Sequence, residues 1–391
     1  MAAKLYGADN APLKIQFITD PHYYSRKGGT EGKAYEKAEA KSQKIIKDSD
    51  LVIKAGFDLL CADTSTDIVV LAGDTTRDGE LASHAEFIEM LRDLKKRGKR
   101  VYVITATHDY RDGGVADGYD GDKKIQVPAV EERHDLWQMY YEFGPNEAIA
   151  THPDSMSYVV QLAPGYRLFA LNDDTNYKPE GESGSGYSDD CMAWILDQLE
   201  DARKHETTRE IFADNGLQCM LTGHTHIHDI SVVETKKGNT FYDIACGAMI
   251  GCPPTMRNIT LDPAHAKVDV ETVTITDVPG LDTGGKPFDQ YMRTFFFGMI
   301  SELLDAAATD IDHLAEMTDA FSVPGEKVKK LGWLIKPIAK WLNKLTFKKA
   351  WRLCKKENGL SKKDIADIAD HRVVDFILEL VQNLYCGDSP Y

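Results

Sequence analysis

The sequence contains no uninterrupted apolar run of 18 residues, so no segment reads as a membrane-spanning helix. Residues 1–13 lack a basic stretch followed by an apolar core, and the expectation is a cytoplasmic chain. There is no C-x-x-C pair either. The seven cysteines, an odd number at irregular spacings, fit neither a zinc ribbon nor a disulfide framework and read as reduced thiols, with Cys61, Cys219 and Cys246 in apolar, core-like contexts. Positive charge is scarce over most of the length: residues 1–322 hold 32 Lys/Arg against 54 Asp/Glu. That excludes a broad nucleic-acid-binding face there, because neutralising a phosphate backbone needs clustered Lys/Arg. A small phosphorylated ligand remains open, since a cation-loaded cleft can accept one phosphate.

Acid is what the far end lacks. Residues 323–391 hold 14 Lys/Arg against 8 Asp/Glu, and residues 327–356 hold 11 Lys/Arg with no Asp/Glu, interleaved with Trp333, Trp341 and Trp351. Leu334, Ile338, Trp341, Leu342 and Leu345 fall on one helical face with Lys336, Lys340 and Lys344 opposite, and Pro337 reads as a helix start. The plain expectation is a helical cap with a solvated lysine face. An anionic membrane surface or a protein partner is the alternative for residues 327–356, and nucleic acid is disfavoured.

What is present is an ordinary globular composition, 42% hydrophobic and 28% charged over 391 residues, enough for two or three units at about 150 residues each. The division expected is residues 1–280 and an all-helical region 281–391, with the glycine-rich stretch 280–285 as linker. Residues 14–19 are a β-type run that stops at Asp20-Pro21-His22. Residues 34–62 read as helix. The β-branched run 67–72 reads as a strand buried on both faces and ends in Gly73-Asp74. An amphipathic helix over 79–97, with Leu81, Phe87, Ile88, Leu91 and Leu94 inward, precedes a third strand, 101–105, which delivers Thr107-His108-Asp109 to a loop. Strands alternating with helices, each unloading Asp or His at its end, predict an α/β fold with ligands at the carboxyl edge of a parallel sheet.

The Gly/Asp-rich stretch 110–128 is expected to be a solvated insertion, its spacing failing a calcium loop. A helix over 130–143, strands over 156–162 and 166–171, and a helix over 190–204 follow, with a short helix around 207–213. The apolar run 219–221 then leads into Gly223-His224-Thr225-His226-Ile227-His228. In an extended segment side chains at i and i+2 share a side, so His224 and His226 can aim at one place, and Gly223 lets the backbone turn there. The segments 230–234, 240–245, 258–261 and 267–275 alternate like antiparallel strands and imply a second sheet.

Asp20/His22, Gly73/Asp74, His108/Asp109 and Gly223/His224/His226, in that order and each after a β-type run, resemble the calcineurin-like metallophosphoesterase family over about residues 14–275. The G-H-T-H form is most similar to its bacterial, class III cyclic-nucleotide phosphodiesterase branch. The resemblance implies a sandwich of two mixed β-sheets flanked by helices, with one or two divalent ions (Mn, Fe or Zn) at the strand edges and a small phosphorylated substrate. It implies that Asp20, His22, Asp74 and His226 hold one metal, that Asp74 bridges to a second bound by His224, and that His108 is the general acid, oriented by Asp109.

Two departures bear on the second ion. The family has Asn where this chain has Thr107, and a further strand ending in a metal-binding His before the G-H-x-H motif, whereas here only His205 lies between the helix and the cluster. The expectation is therefore one firmly held ion and a weak second site, with turnover reduced or absent; Thr107 is a poor substitute ligand, and His205, in a polar helical context, reads first as surface and otherwise as a second substitute. If chemistry is lost, the reading becomes a binding protein on the same fold. His134 and His152 are expected on the surface, and His228 behind a ligand.

Overall fold

The computed structural model describes residues 11–152, 154–164, 166–173, 186–199, 217, 219–262, 265, 267–319, 323–354, 361 and 363–386. Its main sheet has five strands, in the spatial order Lys267–Thr274, Thr255–Asp262, Leu13–Thr19, Ile68–Ala72 and Arg100–Ile104. Strands β1 (Leu13–Thr19), β2 (Ile68–Ala72) and β3 (Arg100–Ile104) run parallel. Their side chains alternate between two layers, as the period of two in a pleated strand requires. Ile15, Phe17, Ile68, Val70 and Tyr102 enter one apolar cluster, and Ile18, Val69, Leu71, Val101 and Val103 enter the other.

Helices cover the second face. The helix expected over 34–62 is two helices, α1 (Lys33–Glu39) and α2 (Ser49–Ala62), joined by a loop that buries Ile45 and Ile46. Tertiary packing overrides propensity here: the amide of Ile45 donates to the carbonyl of Ile250 at 2.9 Å, tying the loop to a distant segment that shares its apolar cluster. Helix α3 (Leu81–Lys96) buries Phe87, Ile88, Leu91 and Leu94 at helical spacing, while Leu81 is exposed. Each such apolar side chain contributes about 1.5–3 kcal/mol on burial.

The stretch 110–128, expected as a solvated insertion, is exposed over residues 120–126 but buried at Ala116, Gly118 and Tyr119. It forms a hairpin, β4 (Val115–Asp120) and β5 (Lys123–Pro128), turning at Gly121 with φ +56°. Tyr119 packs edge-on against Tyr35 and accepts a hydrogen bond from Arg77, so one face of the hairpin is core. After α4 (Arg133–Met139), β6 (Ala150–His152), β7 (Ser157–Ala163) and β8 (Tyr166–Ala170) make an antiparallel sheet. Helix α5 (Asp189–Gln198) follows, and β9 (Cys219–Thr222) then pairs parallel to β11 (Thr240–Ala245), which pairs antiparallel to β10 (Ile230–Glu234).

The remaining two strands do not join this second layer as expected. Strand β12 (Thr255–Asp262) pairs antiparallel with β1, and β13 (Lys267–Thr274) pairs with β12, extending the main sheet. Alternation specifies a strand, not its partner. Residues from β7, β8, β11 and β12 join β1–β3 in one apolar cluster, so the sheets stack as a mixed sandwich flanked by helices. Cys61, Cys191, Cys219, Cys246, Cys252 and Cys354 are unpaired.

From Phe288 the described chain is helical: α6 (Phe288–Thr309), α7 (Ile311–Asp319), α8 (Gly325–Leu342), α9 (Phe347–Cys354) and α10 (Val373–Cys386). Phe288, Met292, Phe296 and Met299 of α6 share one apolar cluster with α2 and α3. Pro337 lies inside α8 rather than at its start, on the exposed side, where water can take the carbonyl that loses its partner. The apolar face of α8 is also divided. Val328 and Gly332 are buried, and a β-carbon on Gly332 would lie 2.7 Å from the Ile311 side chain, so that glycine lets α8 close on α7. Leu334, Ile338 and Trp341, expected to pack with Leu342 and Leu345, are exposed. Among the described residues no helix is long and apolar enough to cross a membrane.

Candidate metal centre

The parallel strands β1 and β2 stop at one edge of the sheet, and the backbone beyond them turns sharply. Asp20, His22, Asp74, His224 and His226 have φ of 49°, 42°, 49°, 73° and 57°, five of the six non-glycine residues with positive φ among those described. This left-handed region costs an L-residue about 1–3 kcal/mol, and such residues persist only where the surroundings over-determine them. Here the amides of His22 and Tyr23 donate to the carbonyls of Asp74 and Thr75, both at 3.0 Å, so the two loops continue the pairing of β1 with β2. The amide of His224 donates to both oxygens of Asp20, at 3.1 and 2.9 Å, anchoring the histidine segment onto the end of β1. Gly223 is required for space rather than for a turn: a β-carbon there would lie 1.9 Å from Thr19 Oγ1 and 2.3 Å from Asp20 Oδ2.

The result is a buried cluster. Donor atoms of Asp20, His22 and His226 lie within 4.8 Å of one another. His22 Nε2 is 3.3 Å from His226 Nε2, 3.8 Å from Asp20 Oδ1 and 3.8 Å from Asp74 Oδ2. Burial, then the neighbouring Lys44 and His108, hold His22 well below the usual imidazole range, and burial lowers His226 against the pull of Asp20. Both rings therefore stay neutral near pH 7, the form in which an imidazole nitrogen can bind a cation. Burial and the charge of Asp20 push Asp74 up to about 7. Two carboxylates and two neutral imidazoles crowded together, with no thiolate, fit a divalent ion of the Mn, Fe or Zn type, whose charge would relieve the repulsion between Asp20 and Asp74.

The second site is not assembled in the same way. His224 and Thr107 are exposed, and the side chain of His224 lies outside the cluster. His205 lies outside the described residues. His228 does not support a ligand. It is fully buried, accepts from the amide of Gly247 at Nδ1 and meets Thr255 and Thr272 at 2.9 Å each. Burial and the nearby Arg257 hold it neutral, down to about 3, in a packing role. His134 is exposed, but His152 is buried, with Ser155 and Asp190 as partners.

His108 stands edge-on to His22, ring centroids 5.0 Å apart, and its amide donates to Asp74 Oδ1 at 3.1 Å. Its Nδ1 lies 2.7 Å from the carbonyl of Arg77 and 3.2 Å from Asp78 Oδ1. A carbonyl only accepts, so Nδ1 carries a proton and Nε2 is the exchangeable position. Burial disfavours the charged ring, but the Asp78 hydrogen bond and the charge of Asp74 outweigh it and raise His108 above its usual range. Asp78 itself stays ionised: burial is overcome by His108 and Arg111, which holds it down to about 2. Asp109, expected to orient His108, instead bonds Thr75 Oγ1 and the amides of Thr76 and Ala106, locking the ends of β2 and β3 together. Asp78 was recognisable only as a carboxylate four residues beyond Asp74.

Lys44 was not legible at all. The break between α1 and α2 brings its Nζ to 3.1 Å from His22 Nε2. Burial lowers its ammonium, against the pull of Asp74, Asp20 and Asp78.

A buried carboxylate–imidazole set at the carboxyl edge of a mixed sheet, with a protonatable histidine beside it, is an arrangement that could hold a divalent metal ion. The family model for calcineurin-like phosphoesterase matches residues 13–228, more than half of the chain, and the chain belongs to that family. The match runs from the first residue of β1 to just past the histidine cluster. No curated protein matches the chain.

Proposed function

We propose that the chain is a metal-dependent phosphodiesterase acting on a small phosphorylated substrate through one firmly held ion, with Asp20, His22, Asp74 and His226 as its ligands. The observation that carries this reading is the convergence of Asp20, His22 and His226 beside the His108 ring. A divalent ion held there supplies charge neutralisation at the phosphoryl oxygens and an acidified water at neutral pH. The chain's own residues do the rest. His108, held by Arg77 and Asp78 through Nδ1, presents Nε2–H to the leaving alkoxide, and Asp78 stabilises the ring's positive charge before transfer. Among the described residues, His224 and Thr107, with Asp74 shared, are left to hold a second ion, and the exposure of His224 and Thr107 supports a weak second site.

Hydrolysis of bis(4-nitrophenyl) phosphate with Mn²⁺ tests the reading, compared with Asp20→Ala and His108→Ala. Both substitutions should abolish most turnover, and only Asp20→Ala should reduce bound metal. Wild-type protein that holds Mn²⁺ yet hydrolyses nothing would leave a binding protein on this fold. Two tightly held equivalents of Mn²⁺ would remove the single-ion part.

The helical tail supports attachment to an anionic membrane surface. Trp333, Leu334, Ile338 and Trp341 are exposed on α8 within a segment whose charges are all basic, the composition of an interfacial helix.

A further inference from the structure

We propose that Lys44 is an anion-binding residue of this centre, one that opposes metal binding but holds an oxygen of the phosphoryl group once the ion is in place. The proposal rests on the metal-dependent reading above. The position is built rather than accidental: the loop carrying Lys44 is pinned by the bond from Ile45 to Ile250, by burial of Ile45 and Ile46, and by the Lys44 amide donating to Ser42 Oγ at 3.1 Å. Among the described residues the ammonium has one hydrogen-bond partner, His22 Nε2, and no carboxylate within the 4 Å of an ion pair. A lysine offers three donors, so two are unspent.

His22 Nε2 has a single in-plane lone pair, and the cluster needs it for the ion. Once the lone pair is taken, the ammonium loses its partner while lying close to a divalent charge. That arrangement is unfavourable unless an anion lies between the two cations. A phosphoryl group meets the need, since its oxygens accept charge-assisted hydrogen bonds and lysine binds phosphate as a point charge. With His224 and Thr107 exposed, Lys44 adds a positive charge beside the one gathered set of candidate ligands, next to His22.

The test is the sign of two binding changes, measured by calorimetry on full-length protein with Mn²⁺ alone and then with inorganic phosphate on the Mn²⁺-loaded form. Lys44→Met should bind Mn²⁺ several-fold more tightly and phosphate about tenfold more weakly, the scale of one charge-assisted hydrogen bond. Lys44→Arg should retain phosphate binding to within a few-fold. Should Lys44→Met fold poorly, Lys44→Gln replaces it with the same two expectations. A merely structural lysine would weaken both affinities together and lower the melting temperature, and that outcome overturns the proposal. So does unchanged phosphate affinity, or wild-type protein that binds no phosphate. Failure of the phosphodiesterase reading is distinguishable: phosphate would then bind in a Lys44-dependent way without any ester being hydrolysed.

Discussion

His108 and Asp78 meet at 3.2 Å across the loops that follow β3 and β2, while Asp109, the next residue after His108, turns its carboxylate onto Thr75, Thr76 and Ala106. One acidic residue tunes the ring and the other holds the scaffold. Asp78→Asn should therefore reduce turnover, roughly tenfold or more at alkaline pH, by weakening general acid catalysis. His108 must be protonated to act, so activity is lost as pH rises through its raised pKa. Without Asp78 that loss should move to lower pH. Asp109→Asn should instead lower the melting temperature and leave the alkaline limb in place. A pH–rate profile for each variant decides between them, and an alkaline limb that moves only in Asp109→Asn would reverse the two roles.

Metal affinity should depend on pH through Asp74. Its carboxyl, pushed up to about 7 in the metal-free centre, must lose a proton to bind a cation, whereas His22 and His226 are already neutral there. The apparent Kd for Mn²⁺ should weaken by about tenfold for each pH unit well below 7 and level off above it. In linkage terms the raised Asp74 contributes stability present below its ordinary carboxylate range and lost as pH rises through 7. Added Mn²⁺ should accordingly raise the melting temperature more at pH 8 than at pH 6, and an equal rise at both would count against Asp74 as a ligand.

Gly223→Ala should abolish tight metal binding without touching any ligand. The added methyl would overlap Thr19 and Asp20, forcing the histidine segment off the end of β1. Overpacking of this kind costs about 1–3 kcal/mol in stability. Calorimetric titration with Mn²⁺ alongside thermal melting checks both parts, and wild-type metal affinity in this variant would show that the close approach is not required.

The exposed face of α8 should bind phosphatidylcholine vesicles that contain phosphatidylserine, with a blue shift of tryptophan fluorescence, and release them at high salt. Each lysine near such a surface contributes about 1 kcal/mol, so Lys340→Glu should weaken binding at least about fivefold. Trp341→Glu should do the same by removing apolar contact. Equal binding to purely zwitterionic vesicles, or none to either, would remove the membrane as partner.

The residues of the first site were legible because each sits just beyond a β-type run, and a strand's end is where a parallel sheet presents its side chains. Asp20, His22 and His226, which the structure gathers into one candidate cluster, needed only period and order to be singled out, and the buried runs of β1, β2 and β3 needed only their unbroken apolar character. The helical break that carries Lys44 had no local signal: nothing in 34–62 interrupts helical spacing, and the loop exists because Ile45 bonds Ile250 some two hundred residues away. Strands β12 and β13 were recognisable as strands but not as partners of β1, since alternation is the same in any sheet.

The sequence by itself thus determined the class of chemistry, through residue types and their order, and the alternation of strands and helices that brings them to one edge. Only the tertiary structure decided which carboxylate serves His108, that His228 belongs to the core, and that the outer side of α8 is left uncovered. It also separated His224 from His226. Residues two apart share a side only while the backbone stays extended, and here both have left-handed φ, so His226 turns into the cluster while His224 turns out to solvent.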